Sequence, residues 1–190
     1  MKPMKPMKTL ILNGSPRKNG DTAALIDEFV RHLDGEVRIL SADDGISPCI
    51  DCRRCFTEDG CAISDGMQEI YRCLDECDNV VLASPIWFAS LSGVTLNLAS
   101  RFQTLFAAGA FRGEVREPTK NGVLMLVGAR AGTELAAEKS GRIILSYMGA
   151  KRPLAATVRA MDTDRLPVCR DEAALAAARE AAEILNKMKK

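Results

Sequence analysis

The sequence predicts a three-layer α/β sandwich: a five-stranded parallel sheet in the order 2-1-3-4-5, with helices on both faces. Three observations lead there. Short apolar runs alternate with amphipathic stretches along the chain, the pattern of repeated βαβ units. Two of the runs, Asn79–Ala83 and Gly122–Val127, are almost wholly apolar, as strands buried on both faces should be. With 47% hydrophobic and 27% charged residues over 190 positions, the chain can bury one substantial core.

Taken in order, the first strand is Thr9–Leu12, followed by a polar loop and a helix over Thr22–Leu33. That helix sets Leu25, Ile26, Phe29, Val30 and Leu33 on one face. A second strand, Val37–Leu40, leads into a cysteine-rich loop at 48–64. The helix Asp65–Glu76 then carries Met67, Ile70, Tyr71 and Leu74 on one side. Strand Asn79–Ala83 precedes a helix expected over Ser92–Ala107. Strand Gly122–Val127 precedes the helix Leu135–Met148. Strand Leu154–Arg159 and the alanine-rich helix Glu172–Met188 close the chain. Right-handed crossovers between these strands give a flavodoxin-like sheet, whose ligand site lies beyond the strand carboxyl ends at the topological switch point. Residues 8–190 read as one domain, and residues 1–7 as a disordered tail ahead of it.

The composition narrows the function. Twenty-six Lys and Arg against 25 Asp and Glu leave no basic stripe for nucleic acid or an anionic membrane. No run approaches the roughly 20 apolar residues of a membrane helix, and no apolar stretch follows the first lysines as in a secretory signal. A cytoplasmic protein is expected. The single histidine, His32, sits on the first helix as a surface residue. Gly-x-Ser-x-Gly and His-rich metal patterns are missing. The side chains for acyl transfer are therefore lacking, and a cofactor must carry the chemistry.

Two loops and one cysteine run carry the candidate chemistry. Between the first strand and first helix lies Asn13-Gly14-Ser15-Pro16-Arg17-Lys18-Asn19-Gly20-Asp21-Thr22. A loop entering a helix offers free N–H groups and the positive end of the dipole. Ser15, Thr22 and the forked cation of Arg17 suit a phosphate. It is neither a Walker A loop nor a Gly-x-Gly-x-x-Gly fingerprint, and a plain polar βα turn is the alternative. After the third strand, Pro85 is expected to stop the ladder and turn Trp87 and Phe88 over the sheet. Packing under a loop or at a subunit interface is the other reading of that aromatic pair.

Cys49-x2-Cys52-x2-Cys55-x5-Cys61 is the sharpest motif. Four thiolates at this spacing can converge on a [4Fe–4S] core. Structural zinc, usually held by two separated knuckles, disulfides or redox-sensing thiols, and cysteines that bind nothing remain alternatives. Cys73, Cys77 and Cys169 read as core or surface residues.

The run Gly-Ser-Pro-Arg-Lys-x-Gly-x-Thr after the first strand resembles the NAD(P)H-dependent FMN reductase family, particularly its iron-sulfur flavoprotein branch. The resemblance runs from about Lys8 to Met148. It implies that Ser15, Arg17, Asn19 and Thr22 contact the FMN phosphate, with Asp21, where the family has asparagine, contributing through its backbone. It implies that Ser84, Pro85, Ile86, Trp87 and Phe88 lie along the flavin ring, and that Gly128 and Arg130 close its other side. It implies that Cys49, Cys52, Cys55 and Cys61 hold a [4Fe–4S] cluster. Electrons would come from NAD(P)H or ferredoxin and pass to a small molecule or redox protein; a non-enzymatic electron carrier is the rival reading. Family resemblance also implies a homodimer or homotetramer. This chain departs from the family in having Asp51, Arg53 and Arg54 where glycines are common between the cysteines. It also keeps only Leu96 and Arg101 of a Leu-Lys…Asp-Arg helix pattern. Arg53 and Arg54, beside the thiolates, are expected to raise a cluster's potential or to lower thiol pKa values.

Overall fold

The computed structural model describes residues 6–114 and 117–188. Its sheet has five parallel strands: β1 (Lys8–Asn13), β2 (Glu36–Ser41), β3 (Asn79–Trp87), β5 (Asn121–Gly128) and β6 (Ala156–Met161). A two-residue strand, β4 (Ser90–Leu91), pairs antiparallel with the end of β3. The parallel order is β2-β1-β3-β5-β6, so the chain reverses direction across the sheet between β1 and β3, opening a crevice there. Residues 1–5 of the expected tail lie outside the described residues. Met7 is already tied to the sheet, its carbonyl accepting from the Glu36 N–H at 2.9 Å.

The period-two alternation of the apolar strands fills two cores. Leu10, Leu12, Val80, Leu82, Leu124 and Leu126 face one side. Ile11, Val81, Ala83, Val123, Met125 and Val127 face the other. On the second side pack α1 (Asp21–Arg31), through Leu25, Ile26 and Phe29, and α6 (Glu172–Lys187), through Ala174, Ala178, Ala181, Ala182 and Leu185. The alanines let α6 approach α1 closely. The first side is covered by α2 (Met67–Glu76), α3 (Gly93–Ser100), α4 (Gln103–Arg112) and α5 (Leu135–Tyr147). A Cβ on Gly141 of α5 would stand 2.6 Å from Leu124 Cδ1, which shows how tightly that helix lies on β5.

Two expectations are corrected. Pro85 does not end β3: it pairs in register with Val127, and the strand continues to Trp87. The β1 pairing stops at Asn13↔Ala83, so Pro85 sits where one edge of β3 is free and a missing N–H is tolerated. The single helix expected over Ser92–Ala107 is two, α3 and α4, broken at Arg101–Phe102. Among the described residues, no helix is long and apolar enough to cross a membrane.

Candidate functional site

At the carboxyl end of β1 the chain turns through Gly14 into α1. Asn13 Oδ1 accepts from the Ser15 N–H at 3.0 Å, an Asx-type turn. Gly14 is required by proximity: a Cβ there would meet Thr95 Oγ1 at 1.8 Å. Gly20 precedes α1 without a side-chain cap, which leaves the first N–H groups of the helix available to an anion. The Asp21 carboxylate turns away to accept from the Val168 N–H at 2.7 Å, so it does not cap its own helix.

These residues form one wall of a cleft of about 150 Å³. Ser15, Arg17, Asp21 and Thr22 line it at one end. Pro85, Ile86 and Trp87 come from β3, and Gly128 from β5. Gly128 sits against Met161 and Ile86, whose methyl groups would stand 2.8 and 3.3 Å from an added Cβ. Thr163 and Asp164, from the turn after β6, complete the wall; sequence reasoning missed both. Their only local signal was polarity after a strand end, and the pairing of β6 with β5 is what carries them there.

Asn19, Ser84, Phe88 and Arg130 do not line the cleft. Asn19 and Arg130 are exposed. Phe88 is fully exposed at the tip of the β3–β4 hairpin. Ser84 is fully buried and braces the cleft from behind. Its Oγ accepts from the Ser92 N–H at 3.1 Å and from Thr95 Oγ1 at 3.0 Å. Ser92 Oγ in turn donates to the Gly14 carbonyl at 2.6 Å and caps α3 by accepting from the Thr95 N–H. Ser84, Ser92 and Thr95 thus lock the β1 loop to the β3 loop. The Ser-x-x-Thr signature of a helix start was the available hint for the latter two.

A second recess lies beyond β2 and gathers Cys49, Cys52, Cys55 and Cys61. Asp51 and Arg53, between the first three cysteines, take φ values of +50° and +59°. Glycine adopts that left-handed conformation freely and other residues do so at a cost, so the looping backbone is enforced from outside. Arg112 of α4 donates to the carbonyls of Cys55 and Glu58, and Phe56 stacks on Phe111 with ring centroids 4.0 Å apart. Ser100 Oγ accepts from the Cys49 N–H at 2.9 Å. Arg101 donates to the carbonyls of Ser47 and Ile63 and pairs with Asp65 at 2.8 Å. The loop is therefore clamped at both ends and in the middle.

All seven cysteines are free thiols. Burial raises the Cys55 pKa, and Cys49, Cys52 and Cys61 push it further, a sign that the four share one neighbourhood. Among the described residues no three His, Cys, Asp or Glu side chains draw together around the position of a single metal ion. The four thiols line one recess, and a four-iron core takes one thiolate at each iron. Arg53 lines this recess but is exposed and paired with Asp51, and Arg54 is exposed and paired with Glu58. Cys73 and Cys77 lie on or after α2, and burial pushes Cys77 up to about 11.

The two recesses share one helix. Ser92 at the start of α3 holds the β1 loop, and Ser100 and Arg101 at its end hold the cysteine loop. Eight residues of helix span about 12 Å.

A family model described as NADPH-dependent FMN reductase matches residues 7–163. An iron-sulfur flavoprotein of Methanocaldococcus jannaschii is 34% identical over 113 residues, covering 57% of this chain and 58% of that one. The chain spans about half the length of the curated relatives it matches. Among solved structures, an NAD(P)H:quinone oxidoreductase from Methanothermobacter marburgensis superposes with a TM-score of 0.64 at 14% identity, over 95% of this chain and 98% of the other. An FMN-dependent NADH-azoreductase from Bacillus anthracis, in complex with FMN, gives 0.61 at 12% identity, over 97% and 100%. At such identities the likeness is one of fold.

Proposed function

The chain belongs to the NADPH-dependent FMN reductase family, and from that premise we propose that residues 8–190 form one FMN-binding domain of an FMN-dependent oxidoreductase. The observation that carries this reading is the single cleft in which Ser15, Arg17 and Thr22 meet Ile86, Trp87 and Gly128 at the switch point of the sheet. The uncapped start of α1, with Ser15, Thr22 and the Arg17 fork, suits the FMN phosphate. Trp87 and Ile86 would offer an apolar wall to the ring, with Gly128 beside them. FMN in this place supplies hydride and single-electron chemistry. The protein's part is to hold the ring, orient it and leave one approach open. Trp87, about half exposed, stands beside that approach, which suits a nicotinamide or a small redox protein such as ferredoxin as donor.

The four clustered cysteines fit a [4Fe–4S] cluster by number, by spacing around one recess and by the preformed loop. In this reading Cys49, Cys52, Cys55 and Cys61 are its ligands, and α3 joins the cluster site to the flavin site. A homodimer or homotetramer working in the cytoplasm is part of the same proposal.

An anaerobic absorption spectrum with iron and sulfide analysis tests it. Flavin bands, a broad shoulder that bleaches on reduction, and about four iron and four sulfide per chain are expected. Steady NAD(P)H oxidation with a quinone present would make it an enzyme and not a carrier. Failure to take up added FMN would overturn the central claim.

A further inference from the structure

Among the described residues Arg101 has the largest fully buried side chain, and it lines the recess of the four cysteines. Its terminal nitrogens are committed. Nη1 donates to Ser47 O and Asp65 Oδ2, and Nη2 to Ile63 O, at 2.8, 2.8 and 3.0 Å. The planar guanidinium is thereby fixed, and with it the direction of the remaining N–H. That group, Nε, is buried and has no hydrogen-bond partner. An unpaired buried donor costs more than a made bond contributes, so its persistence asks for a partner that completes the site.

Arg101 Nη2 holds the carbonyl of Ile63 at 3.0 Å, two residues from Cys61, and both Arg101 and Cys61 line the recess, so Cys61 is the thiolate at this end of the loop. Arg53 also lines the recess, but it is exposed and paired with Asp51, and Arg54 is exposed and paired with Glu58, so neither brings a buried, unpaired donor.

We propose that Arg101 Nε donates a hydrogen bond to the Cys61 sulfur when the four cysteines carry their cluster, and that this donor raises the cluster's reduction potential. The inference rests on the iron–sulfur reading above. A donor and a cation beside a thiolate favour the more negative, reduced state, and hydrogen bonds to sulfur are a recognised determinant of cluster potential. Arg101 stays charged at every relevant pH, so the effect is constant.

The test is a redox titration of the cluster-loaded protein as wild type, Arg101→Lys and Arg54→Gly, with iron and sulfide counted first. Lysine keeps the charge and can reach Asp65 but has no Nε–H fork. The expected result is an Arg101→Lys midpoint lowered by about tenfold in the reduction equilibrium, about 59 mV for one electron, with Arg54→Gly nearly unmoved. A loaded Arg101→Lys protein with the wild-type midpoint would overturn the inference and leave the cluster reading standing. A wild type without iron and sulfide would overturn both, and the count reveals it before any potential is measured. If Arg101→Lys cannot hold the cluster, pulsed EPR of reduced protein labelled with 15N-arginine, recorded for Arg53→Lys, Arg54→Lys and Arg112→Lys in turn, decides. A nitrogen coupling from arginine supports the donor, and its absence removes it.

Discussion

Phe88 and Ala89 are the two central residues of the hairpin between Trp87 and Ser90, with φ values of +50° and +60°. Both angles positive is the geometry of a type I′ turn, normally filled by Asn-Gly. A side chain in the left-handed region costs about 1–2 kcal/mol, so strain sits one residue from the cleft wall, as it often does beside functional sites. Ala89→Gly should therefore stabilise the fold by about 1 kcal/mol, read as a higher urea midpoint at unchanged slope; an unchanged midpoint would mean the turn is not strained. The sequence flagged Trp87 and Phe88 as an aromatic pair, and only Trp87 reaches the cleft. A two-residue turn separates neighbours that a strand reading treats alike, and nothing in Phe-Ala announces such a turn.

Among the elements, α1 and α6 are joined by Glu28, which is 7% exposed. Its carboxylate accepts from Arg31 and Arg179 at 2.7 and 2.6 Å. The Arg179 bond, opposed by burial and helped by Arg31, holds the Glu28 pKa below its ordinary 4.5. A depressed folded pKa gives stability that is present above the unfolded value and lost as pH falls through the folded one. Glu28→Gln should cost about 1–2 kcal/mol at neutral pH, and the gap to wild type should close on titration below about pH 4.5. A gap that persists at low pH would assign the loss to packing and not to charge. The break between α3 and α4 also belongs to this scale. No Pro or Gly marks Arg101–Phe102, and apolar residues at helical spacing (Val94, Leu98, Phe102, Leu105) continue across it. The helix parts where Arg101 is held by Ser47, Ile63 and Asp65, 36 to 54 residues upstream, contacts that local periodicity does not contain.

For the whole molecule, a ligand that binds only the folded state stabilises it by mass action, about 2.7 kcal/mol at a hundredfold excess over Kd. FMN at that excess should raise Tm, and Arg17→Ala should shrink the rise for FMN while leaving that for riboflavin, which lacks the phosphate, unchanged. Equal loss for both would place Arg17 at the ring or in the fold and not at the phosphate. Such a measurement reads the cleft as a unit, since its walls come from β1, β3, β5 and the turn after β6.

The sequence by itself determined the layers, the strand order and the positions of the polar β1–α1 loop and the cysteine run. Those features live in local periodicity and in motifs of consecutive residues, which strand alternation and helix turns translate directly into faces and loops. Only the tertiary structure decided that Ser84 and Thr95 brace the cleft from behind, that Thr163 and Asp164 finish it, and that Arg101 is buried beside the recess of the four cysteines. Each of these depends on contacts between residues distant in the chain, set by sheet order and by which face of a helix is pressed inward. Such contacts come into being only as the layers close.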